Sequence, residues 1–288
     1  MVKVEAGAKI NLTLDILGVR PDGFHEVEMV MQSVGLSDQV SIEKQPEGIS
    51  LWTDASELPA DETNLAWKAA HIFLDVYKIQ SGVSIAVEKR IPIAAGLAGG
   101  STDAAGVLIG MNRLFETRLS EKELCELGEK IGSDVPFCIK GGTMLATGRG
   151  EILRRLPDLP PLSVVLAKPP VSVSTAWAYK SYDQTGAEHH PDTETMLAAL
   201  SEGNVEKVAR GLVNVLEEVT MREHPVIGAY KYVLTENGAI ASLMSGSGPT
   251  VFGLAKTRTD AERAGQALSR AYPDAAVFVT PTAGRNRV

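Results

Sequence analysis

Alternating apolar and polar residues predict several strands in the first half of the chain. Residues 2–4 and 12–17 fit two strands separated by an interruption at 6–11, and further strands are predicted at 27–34, 39–43, 83–88 and 143–147. Apolar residues at helical spacing predict helices over 64–77 and 101–115, and a third from the capping box at Ser120 to Gly132. Lys9 and Asn11 stand in the interruption, and one interpretation is that both face solvent from an edge strand.

The second half follows a different order of elements. The segment LPDLPP at 156–161 marks a change in composition, which predicts a boundary between a domain at 1–157 and a domain at 158–288. After it, the pattern predicts a strand at 162–167, a helix opening near Thr175, and helices near 193–202, 204–221 and 225–236. Strands at 240–244, 251–255 and 275–280, with a helix at 259–271, complete an α+β sandwich whose helices lie on one face of an antiparallel sheet.

A glycine-rich segment, PIAAGLAGGSTDAA at 92–105, joins a predicted strand to a predicted helix. Ser101 or Asp103 can cap that helix, and Gly96, Gly99 and Gly100 permit close approach of another group. The free N–H groups of a helix start add a partial positive charge, so the segment fits an anion such as phosphate. A simple tight turn is the alternative, because the glycines match neither the P-loop nor the dinucleotide-binding spacing.

Composition and charge exclude several classes of protein. The 288 residues are 44% hydrophobic and 22% charged, as in an ordinary globular protein, and the net charge of −8 argues against a nucleic-acid partner. No apolar run is long enough to cross a bilayer and no signal peptide is visible, so no membrane partner is expected. Cys125 and Cys138 lack neighbours at metal-ligand spacing, which predicts buried thiols and a cytoplasmic location. The pair His189 and His190 has two interpretations, a metal site or, more simply, an exposed loop.

Three polar or aromatic positions remain open between a structural and a functional interpretation. Asp134 precedes Val135 and Pro136 and fits either a helix N-cap or a catalytic carboxylate on a loop. Phe24 and His25 follow the turn RPDG at 20–23, where side chains either reach ligands or stay exposed.

Three separated motifs together resemble the GHMP superfamily of small-molecule kinases: AKINL at 8–12, the segment at 92–105, and SGSGPT at 245–250. RPDGFH at 20–25 and GSDVP at 132–136 extend the resemblance, which runs from residue 3 to about 255. It implies an N-terminal domain like ribosomal protein S5 domain 2, a ferredoxin-like C-terminal domain, and an active site between them. Ala98, Thr102 and Phe24 stand where many relatives have Gly, Ser and Tyr.

The resemblance implies transfer of the γ-phosphate of ATP, with Mg²⁺, to a hydroxyl group of a small molecule. The branch with the best match acts on the tertiary 2-hydroxyl of a cytidine-diphosphate-linked methylerythritol, in non-mevalonate isoprenoid synthesis. It assigns proton acceptance from the hydroxyl to Asp134 and charge stabilisation to Lys9. The positions that it assigns to ATP are Asn64, Leu65, Lys89, Pro92, Ile93, Ala94, Ala95, Gly96, Leu97, Ala98, Gly99, Gly100, Ser101 and Thr102. The positions that it assigns to the second substrate are Asn11, Phe24, His25, Thr175 and Tyr179, with Phe24 and Tyr179 on the two faces of the cytosine and His25 at its edge.

Two alternatives stand beside this activity. One is another kinase of the superfamily, with a mevalonate- or homoserine-type substrate. The other is a catalytically silent ligand sensor, against which the presence of both Lys9 and Asp134 argues. The sequence leaves the ligands of Mg²⁺ and the oligomeric state open.

Overall fold

The computed structural model describes residues 1–285, which form two β-sheets with helices packed on them. The first sheet has seven strands, with β3, β4, β2, β1 and β8 side by side, β5 paired with β2, and β6 paired with β5. Its strands are β1 (Val2–Val19), β2 (His25–Gln45), β3 (Ile49–Thr53), β4 (Gly82–Glu88), β5 (Thr143–Thr147), β6 (Ile152–Arg155) and β8 (Val213–Asn214). The helices between these strands are α1 (Leu65–Val76), α2 (Gly99–Leu114), α3 (Glu121–Glu129) and α4 (Val135–Lys140).

The second sheet has four antiparallel strands in the order β11, β7, β10, β9. These strands are β7 (Ser163–Lys168), β9 (Ala241–Met244), β10 (Val251–Ala255) and β11 (Ala276–Pro281). The remaining helices are α5 (Thr175–Thr185), α6 (Thr193–Ser201), α7 (Val205–Arg210), α8 (Val215–Glu223), α9 (Val226–Glu236) and α10 (Arg258–Ala271). Both α9 and α10 contact this sheet, which gives the ferredoxin-like α+β arrangement that the resemblance implied.

The predicted interruption of the first strand is wrong, because β1 runs without a break through residues 6–11. Register shifts between Gly7 and Lys9 and between Asn11 and Thr13 bend it instead. The interpretation that both side chains face solvent is wrong as well, since Lys9 and Asn11 are 5% and 0% exposed. The strands predicted at 27–34 and 39–43 are likewise parts of one continuous strand, β2.

Helix ends account for most other differences from the sequence prediction. Neither Ser101 nor Asp103 caps α2, because the helix already begins at Gly99, behind Ala98 in a left-handed conformation. The helix predicted over 204–221 divides into α7 and α8, since Asn214 opens a new helix by accepting from the Leu216 amide at 3.0 Å. The capping box at Ser120 is confirmed, with both of its hydrogen bonds present.

The predicted boundary at residue 157 falls between β6 and β7 and stays a prediction. The chain returns to the first sheet after this point, because β8 pairs with β1 in parallel at Thr13 and Leu14. In residues 1–285 no helix combines the length and the apolar surface that a bilayer crossing requires. The same residues hold no group of three His, Cys, Asp or Glu side chains suited to a metal, and His190 contacts Asp15 at 2.7 Å.

Helix α2 lies close against the first sheet at Gly106. A Cβ atom at this position would lie 2.9 Å from Val40 Cγ2 and 3.3 Å from the Cβ of Ala6, so a methyl group has no room there. Gly265 in α10 is different, because a Cβ there would meet its nearest neighbours at an ordinary 3.4 Å.

We expect the substitution to alanine to have opposite effects at these two glycines. Gly106→Ala should lower the free energy of unfolding by roughly 1 kcal/mol, because overpacking outweighs the gain in helix propensity. Gly265→Ala, its matched control, should raise it by about 0.5–1 kcal/mol. Urea unfolding of both variants measures the two values, and a stabilised Gly106→Ala variant would contradict the close packing of α2.

Candidate functional site

A cleft of about 930 Å³ runs between the two sheets. Residues from β1, the β1–β2 turn, β2, the start of α1, the glycine-rich loop, the segment just before α4, α5 and the turn at 245–250 line it. Eighteen predicted site residues stand in this lining: Lys9, Phe24, His25, Asn64, Leu65, Lys89, Pro92, Ile93, Ala94, Ala95, Gly96, Ala98, Gly99, Gly100, Ser101, Asp134, Thr175 and Tyr179. The topology therefore brings most of the predicted positions to one cavity.

The loop before α2 exposes the first N–H groups of that helix to the cleft. Ala94, Gly96 and Ala98 all have positive φ angles, of 50°, 73° and 60°, which turn the chain sharply into the helix. No side chain caps α2 at Ala98, so its first amides keep free hydrogen-bonding capacity. An uncapped helix start in a cleft offers an anion both donors and a favourable dipole.

Gly96 serves a contact inside the protein, which the sequence prediction did not include. A Cβ atom on Gly96 would lie 2.1 Å from the carbonyl oxygen of Ser245. The Ser245 hydroxyl in turn donates to the Gly96 carbonyl at 3.0 Å. Gly96 is one of the three glycines that were expected to admit a ligand, but it instead allows the loop to pack against the second glycine-rich turn.

Lys89 lies at the back of the loop in a buried group with two carboxylates. Its ammonium donates to Asp38 and, at 2.7 Å, to Asp103 Oδ2. Asp38 also accepts from the backbone N–H groups of Arg90 and Ile91. Asp103 Oδ1 has no hydrogen-bond partner among the described residues. Burial raises the pKa of Asp103 to about 7, although the Lys89 charge opposes this, and the nearby Asp38 carboxylate adds to the rise.

Lys9 and Asp134 face each other on the floor of the cleft. The Lys9 ammonium donates to Asn11 Oδ1 at 2.7 Å and lies 3.9 Å from Asp134 Oδ2. Asp134 occupies the N-cap position of α4, but its side chain makes no capping hydrogen bond. The carboxylate is 30% exposed, whereas the Lys9 side chain is 6% exposed. A cation is thus held rigidly beside a carboxylate that stays open to the cleft.

Aromatic and polar side chains form the opposite end of the cleft. The rings of His25 and Tyr179 lie 4.8 Å apart, and His25 Nε2 is 2.8 Å from Asp183 Oδ1. Phe24 is 55% exposed, and the Arg149 guanidinium stands over its ring at 5.2 Å. Burial raises the pKa of the Tyr179 hydroxyl, so this side chain remains a neutral ring with a polar tip.

Some predicted positions stand behind the cleft wall. Leu97 and Thr102 are buried, and Thr102 donates to the Gly7 carbonyl at 3.2 Å. Asn11 is fully buried and contacts the cleft residues Lys9 and Met29. Asn64 lines the cleft but also caps α1, because it accepts from the Ala66 amide at 2.9 Å.

Sequence reasoning missed several residues that the cleft contains. Arg149, Lys180, Asp183 and Ser247 line it, and Ser247 shares a 3.0 Å hydrogen bond with Thr175. For Asp183 a signal existed, because it follows Tyr179 by four residues on a predicted helix and so shares its face. The approach of Arg149 to Phe24 depends on tertiary structure, and no local pattern indicated it.

Comparison with known proteins gives a consistent result. Residues 64–142 match the sequence model described as GHMP kinases N terminal domain, and residues 196–274 match GHMP kinases C terminal. The chain is 47% identical to 4-diphosphocytidyl-2-C-methyl-D-erythritol kinase of Acetivibrio thermocellus over 98% of this chain and 99% of that protein. A crystal structure of 4-(cytidine 5'-diphospho)-2C-methyl-D-erythritol kinase is similar with a TM-score of 0.83, 34% identity, and coverage of 98% of this chain and 100% of that one. Homoserine kinase from Cytophaga hutchinsonii shares the fold, with a TM-score of 0.77, 20% identity, and coverage of 99% and 96%.

The buried Asp103 predicts a specific dependence of stability on pH. Because its pKa rises to about 7 on folding, the folded protein binds more protons than the unfolded chain between about pH 4 and pH 7. The stability that this group contributes is therefore complete below about pH 4 and is lost as the pH rises through about 7. We expect the free energy of unfolding of the wild type, minus that of Asp103→Asn, to fall across this range.

Urea unfolding at several pH values measures this difference. Asp75→Asn is a suitable control, because Asp75 is exposed and bonded to Lys78, so its difference from the wild type should stay level above about pH 5. A difference for Asp103→Asn that stays constant or increases with pH would show that the Asp103 carboxyl is ionised throughout.

Proposed function

The chain belongs to the 4-diphosphocytidyl-2-C-methyl-D-erythritol kinases of the GHMP kinase family, and we propose that it passes the γ-phosphate of ATP to the 2-hydroxyl of 4-diphosphocytidyl-2-C-methyl-D-erythritol. The observation that carries the proposal is the Lys9–Asp134 pair, which faces a cleft whose wall contains an uncapped helix start. The reaction belongs to isoprenoid synthesis by the non-mevalonate route. The alternatives of a mevalonate- or homoserine-type substrate rest on similarities of 20% identity or less, which concern the fold alone.

In this proposal the loop at 92–98 and the start of α2 hold the ATP phosphates. Its support is the absence of a side-chain cap at Ala98, since the first amides of α2 then remain for a ligand. Asn64 and Leu65 at the start of α1 line the same part of the cleft and fit the adenosine end. Lys89 is less available than the sequence suggested, because two carboxylates already bind its ammonium.

Mg²⁺ fits the donors present beside this loop. This cation usually combines one or two protein oxygens with the phosphates of its nucleotide, so a site without a protein cage suits it. The Ser101 hydroxyl is an oxygen donor of the cleft that would hold it, together with the phosphates. When bound, Mg²⁺ neutralises charge on the phosphates.

We assign proton acceptance from the 2-hydroxyl to Asp134 and charge stabilisation to Lys9. A tertiary alcohol is a hindered nucleophile, and phosphoryl transfer depends mainly on positioning and charge neutralisation. Lys9 is buried, hydrogen-bonded to Asn11 and close to the carboxylate, so its charge lies where it can stabilise negative charge that develops on the hydroxyl oxygen. The two cysteines form no disulfide in residues 1–285, which agrees with the proposed cytoplasmic location.

The direct test is to incubate the purified protein with labelled ATP, Mg²⁺ and a set of alcohols. We expect phosphorylation of the cytidine-linked methylerythritol, and little or none of mevalonate or homoserine. Transfer to one of the latter would favour the other kinase activity, and transfer to none of the alcohols would favour a sensor.

Asp134→Asn tests the assigned proton acceptor. Because the change removes the charge and leaves the side-chain volume almost the same, turnover should fall by a factor of roughly 10²–10⁴, with ATP affinity nearly unchanged. Asp192→Asn is a matched control, since Asp192 is a true N-cap that accepts from the Thr195 amide at 3.0 Å and lies outside the cleft lining. Steady-state kinetics and calorimetry with ATP measure both effects, and near-normal turnover of Asp134→Asn would refute the assignment.

Tyr179→Ala tests whether the cytosine stacks on this ring. Loss of the Tyr179 ring should weaken binding of the cytidine substrate by about 1–3 kcal/mol and leave ATP binding unchanged. Tyr179→Phe keeps the ring and should lose much less. Equal affinities of the wild type and Tyr179→Ala for the cytidine substrate would show that the base lies elsewhere.

A further inference from the structure

Helix α5 holds the His25 side chain at two points. The Tyr179 ring packs against the imidazole with an interplanar angle of 39°, and Asp183 Oδ1 lies 2.8 Å from Nε2. Tyr179 and Asp183 are four residues apart in α5, so they lie on one helix face. The orientation of His25 therefore depends on a carboxylate that belongs to the second half of the chain.

The chemistry of this contact determines which ring nitrogen carries the proton. An ionised carboxylate only accepts hydrogen bonds, so the short contact to Asp183 requires a proton on Nε2 of His25. In a neutral imidazole the other nitrogen, Nδ1, is then an acceptor. Within residues 1–285 no hydrogen-bond partner for Nδ1 is found, and the side chain is only 15% exposed in the wall of the cleft.

A hydrogen-bond acceptor in this position selects among pyrimidine bases. The base edge of cytosine carries a single donor, its 4-amino group, whereas uracil has an acceptor oxygen at that position. We propose that Asp183 is a positioning residue, which holds the Nε2–H tautomer of His25 so that Nδ1 accepts from the 4-amino group of a cytidine substrate and disfavours uridine. This inference rests on the proposed function, since it concerns how the same site chooses its base.

The contact has little value as a stabilising ion pair. Asp183 is 43% exposed, and an ion pair at that exposure contributes little to folding. The contact has a larger effect on ligand selection, because it fixes the orientation of the partly buried His25 ring in the cleft wall. A site that makes one specific hydrogen bond to its ligand discriminates against an analogue that lacks the matching group. Selection of the base is thus the function that this geometry supports.

The test compares cytidine- and uridine-linked forms of the substrate on the wild type, Asp183→Asn and Asp183→Glu. Asparagine can donate from its amide to Nε2, which permits the opposite tautomer with a donor at Nδ1. We expect the wild type to favour cytidine by about 100-fold or more in kcat/KM, and Asp183→Asn to lose at least about tenfold of that preference, mainly through KM. Asp183→Glu, which keeps the carboxylate, should recover part of the preference, and Asp75→Asn should behave as the wild type.

Nitrogen NMR of the His25 ring, under slightly alkaline conditions, supplies a readout that a merely structural role would not change. The wild type should show the Nε2–H tautomer and Asp183→Asn an increased share of Nδ1–H. An unchanged tautomer in Asp183→Asn, or equal use of both substrates by the wild type, would overturn the inference.

A failure of the proposed function is distinguishable from a failure of this inference. If the wild type phosphorylates neither substrate, calorimetry with cytidine diphosphate and uridine diphosphate still measures the base preference and its dependence on Asp183. Tighter binding of cytidine diphosphate that weakens in Asp183→Asn supports the inference, and equal binding of both nucleotides contradicts it.

Discussion

The contact between the two glycine-rich turns determines the shape of the cleft. Gly96 lies so close to the Ser245 carbonyl that no larger residue fits, and the Ser245 hydroxyl bonds back to the Gly96 carbonyl. One turn belongs to the loop before α2 and the other to the loop between β9 and β10, so this contact joins the two sheets at the point where the ligands are proposed to meet. Asn214 supports it from behind, because its amide donates to the carbonyls of Met244 and Gly246 at 2.8 Å. The spacing between the two sides of the cleft is therefore set by the close approach of the two backbones and by hydrogen bonds from the Ser245 and Asn214 side chains.

Buried polar groups around this contact have a consistent arrangement. Lys9, Asn11 and the Lys89 group all stand in or beside the first sheet, where an unpaired charge would be costly. Each cation has a carboxylate or amide oxygen within reach. The Asp134 carboxylate and the α2 amides retain free capacity and face the cleft, and so does Asp103, whose Oδ1 has no partner among the described residues. Such a distribution keeps the unsatisfied polar capacity where a ligand can use it.

Much of the fold followed from the sequence, because local patterns determine most of it. The α+β class, the helices α1, α3, α5 and α10 and the strands of the second sheet were predicted close to their positions in the structure. The misses have physical causes: buried Lys9 and Asn11 satisfy each other inside a continuous strand, and α2 begins without a side-chain cap. Strands β3 and β6 were not predicted at all, since both are short strands with one paired neighbour each. The motifs indicated where the site lies, but long-range contacts such as that of Arg149 with Phe24 are tertiary and have no signature in a single sequence.

The short strand β8 has a consequence for how the protein is made. Its two residues, Val213 and Asn214, complete the first sheet beside β1, although more than 150 residues separate them from the strand that they join. A nascent chain that has left the ribosome as far as residue 157 therefore lacks the strand that pairs with β1 at Thr13 and Leu14, and it lacks the whole second sheet. The order of synthesis thus delays assembly of the cleft until the second half of the polypeptide has emerged, and the isolated first half is an incomplete unit for expression or fragment complementation.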